Sequence, residues 1–364
     1  MWKGSVMPTI VKEEKKTNTM KALVYHGPGN KNWEDKPKPF LQEAGDALVR
    51  ITTSTICGTD LHIMKGDVPT VTDGRVLGHE GVGVIEEIGT GVSNFKKGDK
   101  VLISCITSCG KCDYCKKGMY SHCRDGGWIL GNKIDGTQAQ FVRIPHADNS
   151  LYHAPEGVAE EALVMLSDIF PTGFECGVIN GQVHPGDKVA IVGAGPIGMA
   201  ALLTAQFYSP ALLILIDQDE NRLQVARAFG ATHTLNFKNE NVEEKIKLLT
   251  NGEGVDVAIE AVGVPASFET CQDIIAPGGR IANIGVHGKP ALFHLEKLWD
   301  RNMSVTTRLV DTVTTPLLLK VLASGKLDAA RLGTHSFALS DILKAYDAFG
   351  NAAKEKALKV ILKA

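Results

Sequence analysis

Residues 189–216 contain no charged side chain in 28 positions, so this stretch must be buried in a protein core or in a membrane. It is longer than the roughly 20 residues that span a bilayer. However, Gly193, Gly195 and Gly198 lie near its start and Pro210 lies near its end, and such residues interrupt a long helix. The positions of these glycines and of Pro210 fit a buried strand, a glycine turn, a helix and a second buried strand. We therefore expect a parallel α/β unit here and no membrane span.

The chain divides into three regions that differ in their pattern of predicted strands and helices. Residues 20–167 carry short β-rich runs between glycine turns, which is typical of an antiparallel or barrel-like domain. In residues 168–306 apolar strands alternate with helices, and this pattern predicts a parallel sheet wound on both faces. Residues 307–364 add two helices and a closing strand, too little for an independent domain, and are expected to fold back onto one of the others.

Composition and cysteine usage narrow the class of protein. The 364 residues carry a formal charge of −2, so a basic surface for nucleic acid is not expected. Four of the eight cysteines fall within fifteen residues and no signal peptide precedes them, which favours metal binding in the cytoplasm over a disulfide framework. Residues 1–19 have no apolar core of signal-peptide length and are interpreted as a flexible extension.

A glycine motif directly follows the predicted strand 188–192 and opens a helix. It predicts a dinucleotide site of the Rossmann type, formed by Gly193, Gly195, Pro196, Ile197 and Gly198. The first glycine permits a tight turn, the second admits a pyrophosphate, and the third allows helix–strand packing. Asp217, nineteen residues after Gly198, is placed to accept hydrogen bonds from the adenosine ribose, which predicts NAD rather than NADP. Arg222 complicates this prediction, because a nearby arginine can accommodate a 2′-phosphate.

Four cysteines with close spacing form the most specific motif of the chain. They lie in the lobe 105–125, at Cys109, Cys112, Cys115 and Cys123. Thiolates at this spacing can close around one tetrahedral Zn²⁺ and leave no open position, so the predicted role is structural. Free or disulfide-bonded loop cysteines, and a zinc ribbon for nucleic acid, are the alternatives. The enzyme-like remainder of the chain argues against the ribbon.

Cys57 and His79 are ambiguous when each is taken alone. Cys57 follows a predicted strand and His79 precedes another, so a buried thiol and a histidine in a turn are ordinary explanations. Together with the other motifs, however, these segments resemble the medium-chain zinc-dependent alcohol dehydrogenases. The resemblance runs from Met20 to the C-terminus and is carried by residues 57–62, 78–80 and 166–173, the four cysteines, the glycine motif and Asp217.

The resemblance implies a chaperonin-10-like β-barrel catalytic domain and a Rossmann cofactor domain, with residues 307–364 returning to the catalytic domain. It also implies a catalytic zinc bound by Cys57, His79 and Asp168. Animal members have a cysteine at the position of Asp168, whereas a group of bacterial members has an aspartate there, as this chain does. The Cys/His/Cys and Cys/His/Asp ligand sets both carry a charge of −2. Two zinc ions per chain and NAD are therefore expected, with Glu80 as a spare ligand.

Further roles follow from the same resemblance. Thr59 and His62 match a relay that carries the alcohol proton to solvent, and a histidine suits this because its pKa lies near working pH. Four positions match residues that line the nicotinamide pocket: Thr172, Val262, Ile284 and Val286. Arg308 is expected to touch the cofactor, and Trp128 matches a substrate-pocket tryptophan in some bacterial members.

The expected activity is reversible NAD-linked oxidation of small primary or secondary alcohols to aldehydes or ketones, by hydride transfer from a zinc-bound alkoxide. A polyol or threonine dehydrogenase is the alternative within the same superfamily. A non-catalytic binding or structural protein on the same scaffold is the alternative of another class. The family implies a homo-oligomer, with a tetramer favoured, and no nucleic-acid or membrane partner.

Overall fold

The computed structural model describes residues 18–364. The predicted extension 1–19 lies outside the described residues except at its end, where Thr19 begins the first strand. Within the described residues no single helix has the length and apolarity to cross a bilayer. Two segments, Glu160–Leu166 and Ile169–Ile179, meet those criteria only when taken together, and they are bent by 43°.

The first half of the chain is mainly antiparallel β-structure. Its strands are β1 (Thr19–Tyr25), β2 (Lys31–Pro37), β3 (Ala47–Ile56), β4 (Arg75–Val76), β5 (Gly81–Ile88), β6 (Lys100–Ile103), β7 (Phe141–Ile144) and β8 (Leu151–His153). Two short helices interrupt them, α1 (Gly58–Lys65) and α2 (Ala147–Ser150). Strand β3 is rich in β-branched residues and is almost entirely buried, so it forms the centre of this region.

A linker of short helices leads to the second half. It consists of α3 (Glu160–Leu163), a 3₁₀ turn, α4 (Ile169–Thr172) and a continuing π-helical segment, Gly173–Ile179. Gly173 packs directly on the next long helix, because a Cβ at this position would lie 2.7 Å from the backbone nitrogen of Ala201. This close approach couples the linker to the glycine-motif helix.

The second half is a doubly wound parallel sheet, which confirms the predicted fold class. Its strands are β9 (Lys188–Val192), β10 (Leu212–Asp217), β11 (His233–Asn236), β12 (Val255–Glu260), β13 (Ile275–Asn283) and β14 (Ser304–Thr307), and its helices are α5 (Pro196–Ala205), α6 (Glu220–Ala228), α7 (Val242–Leu249), α8 (Pro265–Ile274) and α9 (Leu295–Leu298). The order β11-β10-β9-β12-β13-β14 is the Rossmann order. Apolar clusters cover both faces of the sheet.

The last part of the chain returns to the antiparallel region. It contains α10 (Thr315–Ala323), β15 (Gly333–Ala338), α11 (Ile342–Gly350), α12 (Ala352–Glu355) and β16 (Lys359–Lys363). Strand β16 pairs antiparallel with β3, and β15 pairs parallel with β16, in a sheet ordered β15-β16-β3-β5-β6-β8, with β7 also on β3. Strand β16 therefore returns the chain to the sheet that contains β3.

Candidate active site

Three side chains from distant segments converge on one point. Cys57 follows β3, His79 precedes β5, and Asp168 stands immediately before α4. Asp168 Oδ2 lies 3.2 Å from His79 Nε2 and 3.6 Å from Cys57 Sγ. All three residues are buried, with exposures of 7%, 4% and 8% for Cys57, His79 and Asp168.

These separations fit a zinc ion. Zinc bonds of about 2.3 Å to sulfur and about 2.0–2.1 Å to nitrogen or oxygen, at tetrahedral angles, place ligand atoms about 3.3–3.8 Å apart. The observed 3.2 and 3.6 Å lie close to this range. A thiolate, an imidazole and a carboxylate are also the donor types that zinc prefers. The residues present therefore fit the metal that the sequence predicts.

Burial and internal hydrogen bonds set the ionisation of this cluster. Burial opposes ionisation of Asp168, but the hydrogen bonds from His79 and Thr172 hold the pKa of Asp168 well below its usual range. Burial lowers the pKa of His79, but its contacts with Asp168 and Cys57 outweigh this and raise the pKa well above the ordinary value. Burial also raises the pKa of the Cys57 thiol, so a metal ion bound here would displace the protons of Cys57 and His79.

Local structure explains how Cys57 and His79 are oriented. The backbone N–H of Cys57 donates to the buried carboxylate of Asp60 at 2.8 Å, and Gln138 donates to the same carboxylate at 3.0 Å. Gly78 has φ +94°, and a Cβ there would lie 2.8 Å from the Gln138 nitrogen. Only glycine fits this turn, which directs His79 inward.

Glu80 is the fourth member of this cluster and adds a second carboxylate. One of its carboxylate oxygens lies within 4.8 Å of the ligand atoms of the other three residues. Its Oε2 accepts from Lys359 Nζ at 2.6 Å and from the Thr55 hydroxyl at 2.5 Å. Its Oε1 is buried and has no hydrogen-bond partner among residues 18–364. Nothing in the sequence pattern pointed to Lys359.

The predicted relay residues lie on α1. Thr59 Oγ1 is 3.7 Å from Cys57 Sγ, so this hydroxyl is beside the cluster. His62, one turn further, is partly exposed and its Nδ1 lies 2.9 Å from Asp67 Oδ2. The helix therefore carries one polar group at the cluster and one at the surface.

The glycine motif adopts the geometry that its sequence predicts. Gly193 has φ +107°, and a Cβ there would lie 2.6 Å from Val262 Cγ2. A Cβ at Gly198 would lie 1.8 Å from the Gly193 carbonyl oxygen, whereas one at Gly195 would meet no atom within 4 Å. Gly193 thus permits the tight turn and Gly198 permits close packing against that turn. Gly195 leaves open space at the N-terminus of α5.

A cavity of about 390 Å³ adjoins this motif. Five of the predicted cofactor residues line it: Gly193, Gly195, Asp217, Arg222 and Val262. Asp217 Oδ2 accepts from the Ala194 nitrogen at 2.7 Å, while Oδ1 accepts from the nitrogens of residues 218 and 219. Phe237 also lines the cavity, and the sequence analysis did not select it.

Other predicted cofactor residues lie outside this cavity. Ile284 packs with Trp128 and Val310 next to the cluster, whereas the Val286 side chain is mostly exposed. The Thr172 hydroxyl donates to Asp168. Pro196 and Ile197 begin α5 and are partly buried.

Arg308 is bound to Asp311, which belongs to a buried network that the sequence did not predict. The Arg308 guanidinium donates to Asp311 Oδ2 at 2.8 Å. Asp311 Oδ1 accepts from the nitrogen and hydroxyl of Ser121, at 2.9 and 2.6 Å. The buried carboxylate of Glu175 in turn accepts from the Asp311 nitrogen at 2.9 Å and from the Thr314 nitrogen at 2.7 Å. The network joins the π-helical segment to the cysteine lobe.

Trp128 lies beside the cluster of Cys57, His79 and Asp168. Its ring centroid is 6.2 Å from that of His79, with an interplanar angle of 71°. It packs against two apolar clusters, one that contains Ile106 and Val310 and one that contains Ile56 and Ile63. The buried thiol of Cys105 lies 3.6 Å from Asp168 Oδ1.

The four lobe cysteines also converge. One sulfur from each lies within 4.8 Å of the others, and the Cys109 and Cys115 sulfurs are 4.0 Å apart. Backbone N–H groups of Arg124 and Cys115 lower the pKa of Cys112 to about 6, which favours the thiolate. None of the eight cysteines forms a disulfide. The lobe thus presents four thiols that could hold a structural zinc.

Comparisons with known proteins agree with this geometry. Residues 43–156 match the family model described as Alcohol dehydrogenase GroES-like domain, which confirms the chaperonin-10-like prediction, and residues 196–323 match the model described as Zinc-binding dehydrogenase. An alcohol dehydrogenase of Cupriavidus necator is 37% identical over 372 residues, covering 95% of this chain and 99% of the relative.

Two solved structures are similar over nearly the whole chain. The apo form of zinc dependent alcohol dehydrogenase 2 from Streptococcus pneumonia is 59% identical, with a TM-score of 0.91, and the match covers 94% of this chain and 98% of that one. Alcohol dehydrogenase TADH from Thermus sp. ATN1 is 34% identical, with a TM-score of 0.88 and coverage of 94% and 99%.

Proposed function

The chain belongs to the medium-chain zinc-dependent alcohol dehydrogenases, and on this premise we propose that it oxidises small primary or secondary alcohols with NAD and catalyses the reverse reduction. The observation that carries the proposal is the convergence of Cys57, His79 and Asp168 on one buried point. Two zinc ions per chain are proposed, one at this point and one in the cysteine lobe.

The ligand set accounts for the charge of the catalytic site. A thiolate, a neutral imidazole and a carboxylate together carry −2, which balances a zinc dication. When bound, zinc supplies Lewis acidity that lowers the pKa of an alcohol, and NAD accepts the hydride. Asp60 and Gly78 orient Cys57 and His79 through contacts in which a metal takes no part, so the fold itself helps to position the site.

We propose that Thr59 and His62 move the proton released from the substrate. The Thr59 hydroxyl is beside the cluster, and a hydroxyl can accept one proton while donating another. His62 lies at the surface end of the same helix, with its Nδ1 2.9 Å from Asp67 Oδ2, and an imidazole can accept a proton at one nitrogen and release one from the other. The two groups would thus link a closed site to solvent.

Glu80 is proposed as a spare ligand. Lys359 and Thr55 both bind its Oε2, and the other oxygen remains unpartnered among the described residues. An unpartnered buried carboxylate oxygen is costly, and a nearby cation would relieve that cost. Its neutral pairing with Lys359 keeps the overall site charge near zero.

NAD is proposed over NADP because Asp217 lines the cavity beside the glycine motif. A carboxylate there accepts hydrogen bonds from ribose hydroxyls and repels a 2′-phosphate. Arg222 lines the same cavity and opposes this selectivity. We propose that residues 168–306 form the NAD domain and that residues 20–167 and 307–364 together form the catalytic domain.

Small alcohols are proposed because the ring of Trp128 lies 6.2 Å from that of His79 and packs against the apolar cluster of Ile106 and Val310. The several hydroxyls of a polyol, or the charged ends of threonine, would need polar partners that these apolar side chains do not offer. The proposal predicts turnover of ethanol or 2-propanol with NAD and two zinc ions per chain by metal analysis. Activity on sorbitol or threonine alone would favour a polyol or threonine dehydrogenase. No turnover of any of these four substrates would favour a non-catalytic binding protein.

A homo-oligomer, with a tetramer favoured, is proposed for the assembly. Strand β14 is an edge strand of the parallel sheet among the described strands, and an open edge can pair with a second chain. Large apolar side chains are exposed around it, at Leu295, Trp299 and Leu309. A cytoplasmic location is proposed because the eight cysteines are free thiols. Light scattering would test the oligomeric state.

A further inference from the structure

The two carboxylate oxygens of Asp168 have different partners. Oδ2 faces the other members of the trio, 3.2 Å from His79 Nε2 and 3.6 Å from Cys57 Sγ. Oδ1 accepts from the Thr172 hydroxyl at 2.6 Å and is 3.6 Å from the Cys105 thiol. One oxygen is thus directed at the metal position, and the other is held by two donors outside it.

Backbone contacts fix both donors. The Thr172 nitrogen donates to the Asp168 carbonyl at 2.8 Å, so one helical turn places the Thr172 hydroxyl over the carboxylate. The Cys105 nitrogen donates to the Ser167 carbonyl at 3.0 Å. This bond holds the segment that follows β6 against residues 167 and 168. Because each donor's main chain is tied to residue 167 or 168, the side-chain contacts follow from the fold.

The chemistry of a carboxylate explains why this matters. A carboxylate binds a metal through one oxygen or through both. The Thr172 contact has the length of a charge-assisted O–H···O⁻ hydrogen bond, about 2.5–2.7 Å. This bond and the Cys105 contact engage both acceptor positions of Oδ1, which disfavours its use as a metal ligand. Without them, zinc can expand from four to five ligands, and the second oxygen would compete with the substrate for the open position.

We propose that Thr172 and Cys105 are positioning residues that hold Oδ1 of Asp168 and leave Oδ2 as its single metal ligand. This inference rests on the zinc site of the proposed function and assigns Thr172 a role other than contact with nicotinamide. It also gives a role to Cys105, a buried thiol with no part in the mechanism described above.

The test compares full-length variants loaded with Co²⁺, whose visible d–d absorption distinguishes four from five ligands. Thr172→Val, Cys105→Ala and the double variant remove the donors, and Thr172→Ser restores a hydroxyl. Thr204→Val and Cys176→Ala are matched controls, since Thr204 bonds within its own helix and Cys176 is a buried thiol nearby. Zinc affinity is measured in parallel by competition with a chromogenic chelator.

We expect the d–d bands of Thr172→Val to weaken, more so in the double variant, and those of Thr172→Ser and both controls to match the parent. Zinc should bind the double variant about 10- to 100-fold more weakly, the effect typical of lost outer hydrogen bonds. The unchanged sulfur-to-cobalt bands of the cysteine lobe would show that each variant is folded.

The inference is overturned if the double variant keeps the parent spectrum, or if Thr172→Ser changes it as much as Thr172→Val does. Failure of the proposed function is a different result. In that case the parent protein itself would bind only the lobe metal or would not oxidise an alcohol.

Discussion

Lys359 and Glu80 form a buried ion pair, with Lys359 Nζ 2.6 Å from Glu80 Oε2 and both side chains 1% exposed. The two residues are 279 positions apart in the sequence. Lys359 begins β16, the last strand of the chain, and Glu80 follows His79, one of the proposed metal ligands. The C-terminal strand therefore supplies a charge to the active site as well as an element to the sheet.

Replacing Lys359 with methionine should strongly destabilise the protein. Methionine fills similar space but leaves Glu80 as an unpaired buried charge, and breaking a buried pair in this way costs about 3–5 kcal/mol. Chemical denaturation of the zinc-loaded protein would measure the change. Lys363→Met is the control, because Lys363 pairs with Glu161 at the surface and should lose at most about 1 kcal/mol. Equal losses in the two variants would contradict the role given to Lys359.

Replacing Asp217 with serine should weaken selectivity for NAD. The variant loses charge-assisted hydrogen bonds to the ribose and the repulsion of a 2′-phosphate, so the ratio of kcat/KM for NAD over NADP should fall about 10- to 100-fold. Steady-state kinetics with both cofactors would measure it. Adding Arg222→Ala to the Asp217→Ser variant should lower kcat/KM for NADP again. A parent enzyme that already prefers NADP would refute the assignment.

Replacing Cys112 with serine should remove the structural zinc. The lobe would lose one of its four thiolates and would no longer bind the ion. We then expect the lobe to lose its order, although the Ser121–Asp311 hydrogen bond still ties it to the rest of the chain. Zinc content should fall from two to one per chain, with a lower Tm. Cys271→Ala, a buried thiol in the parallel sheet region, should keep both ions. Two zinc ions in Cys112→Ser would disprove a four-thiolate site.

Glu160 should give the protein a pH-dependent increment of stability. Burial opposes its ionisation, but hydrogen bonds from Lys100 and Thr53 lower its pKa below the ordinary value. The increment is therefore complete above the unfolded-state pKa of about 4.3 and is lost as pH falls through the lower folded-state pKa. The Lys100–Glu160 pair is partly exposed, so Glu160→Gln should cost only about 0.5–1 kcal/mol at pH 7.

Denaturation at several pH values would test this, with Glu156→Gln at an exposed position as the control. The difference between the parent and Glu160→Gln should shrink as the pH is lowered below about 4. A difference that stays constant across the range would show that the substitution acts through packing.

Features encoded by local spacing were predictable from the sequence. The roles of Gly193, Gly195 and Gly198 follow from a turn geometry that needs no distant partner, and the space at each glycine agrees with them. The cysteine spacing of the lobe is local in the same sense. The trio was different, since Cys57 and His79 alone were ambiguous and only the order of several motifs selected them.

Features that depend on long-range packing were not predictable. Lys359 and Gln138 reach the site from strands and loops that only the sheet topology brings there. Strand boundaries show the same limit. The pairing of Ile275 with Val255 of β12 extends β13 ahead of its Pro-Gly-Gly sequence, whereas pairing with β14 starts only at Arg280. No local propensity indicates that extension.

The most direct test of the account is zinc content and alcohol oxidation in Asp168→Ala and Asp168→Cys. Alanine removes the third donor from the converging trio, whereas cysteine restores an anionic donor with the same charge. The account predicts one zinc per chain and loss of NAD reduction for Asp168→Ala, with two zinc ions and measurable activity for Asp168→Cys. An Asp168→Ala enzyme that keeps two zinc ions and oxidises alcohol at the parent rate would contradict it.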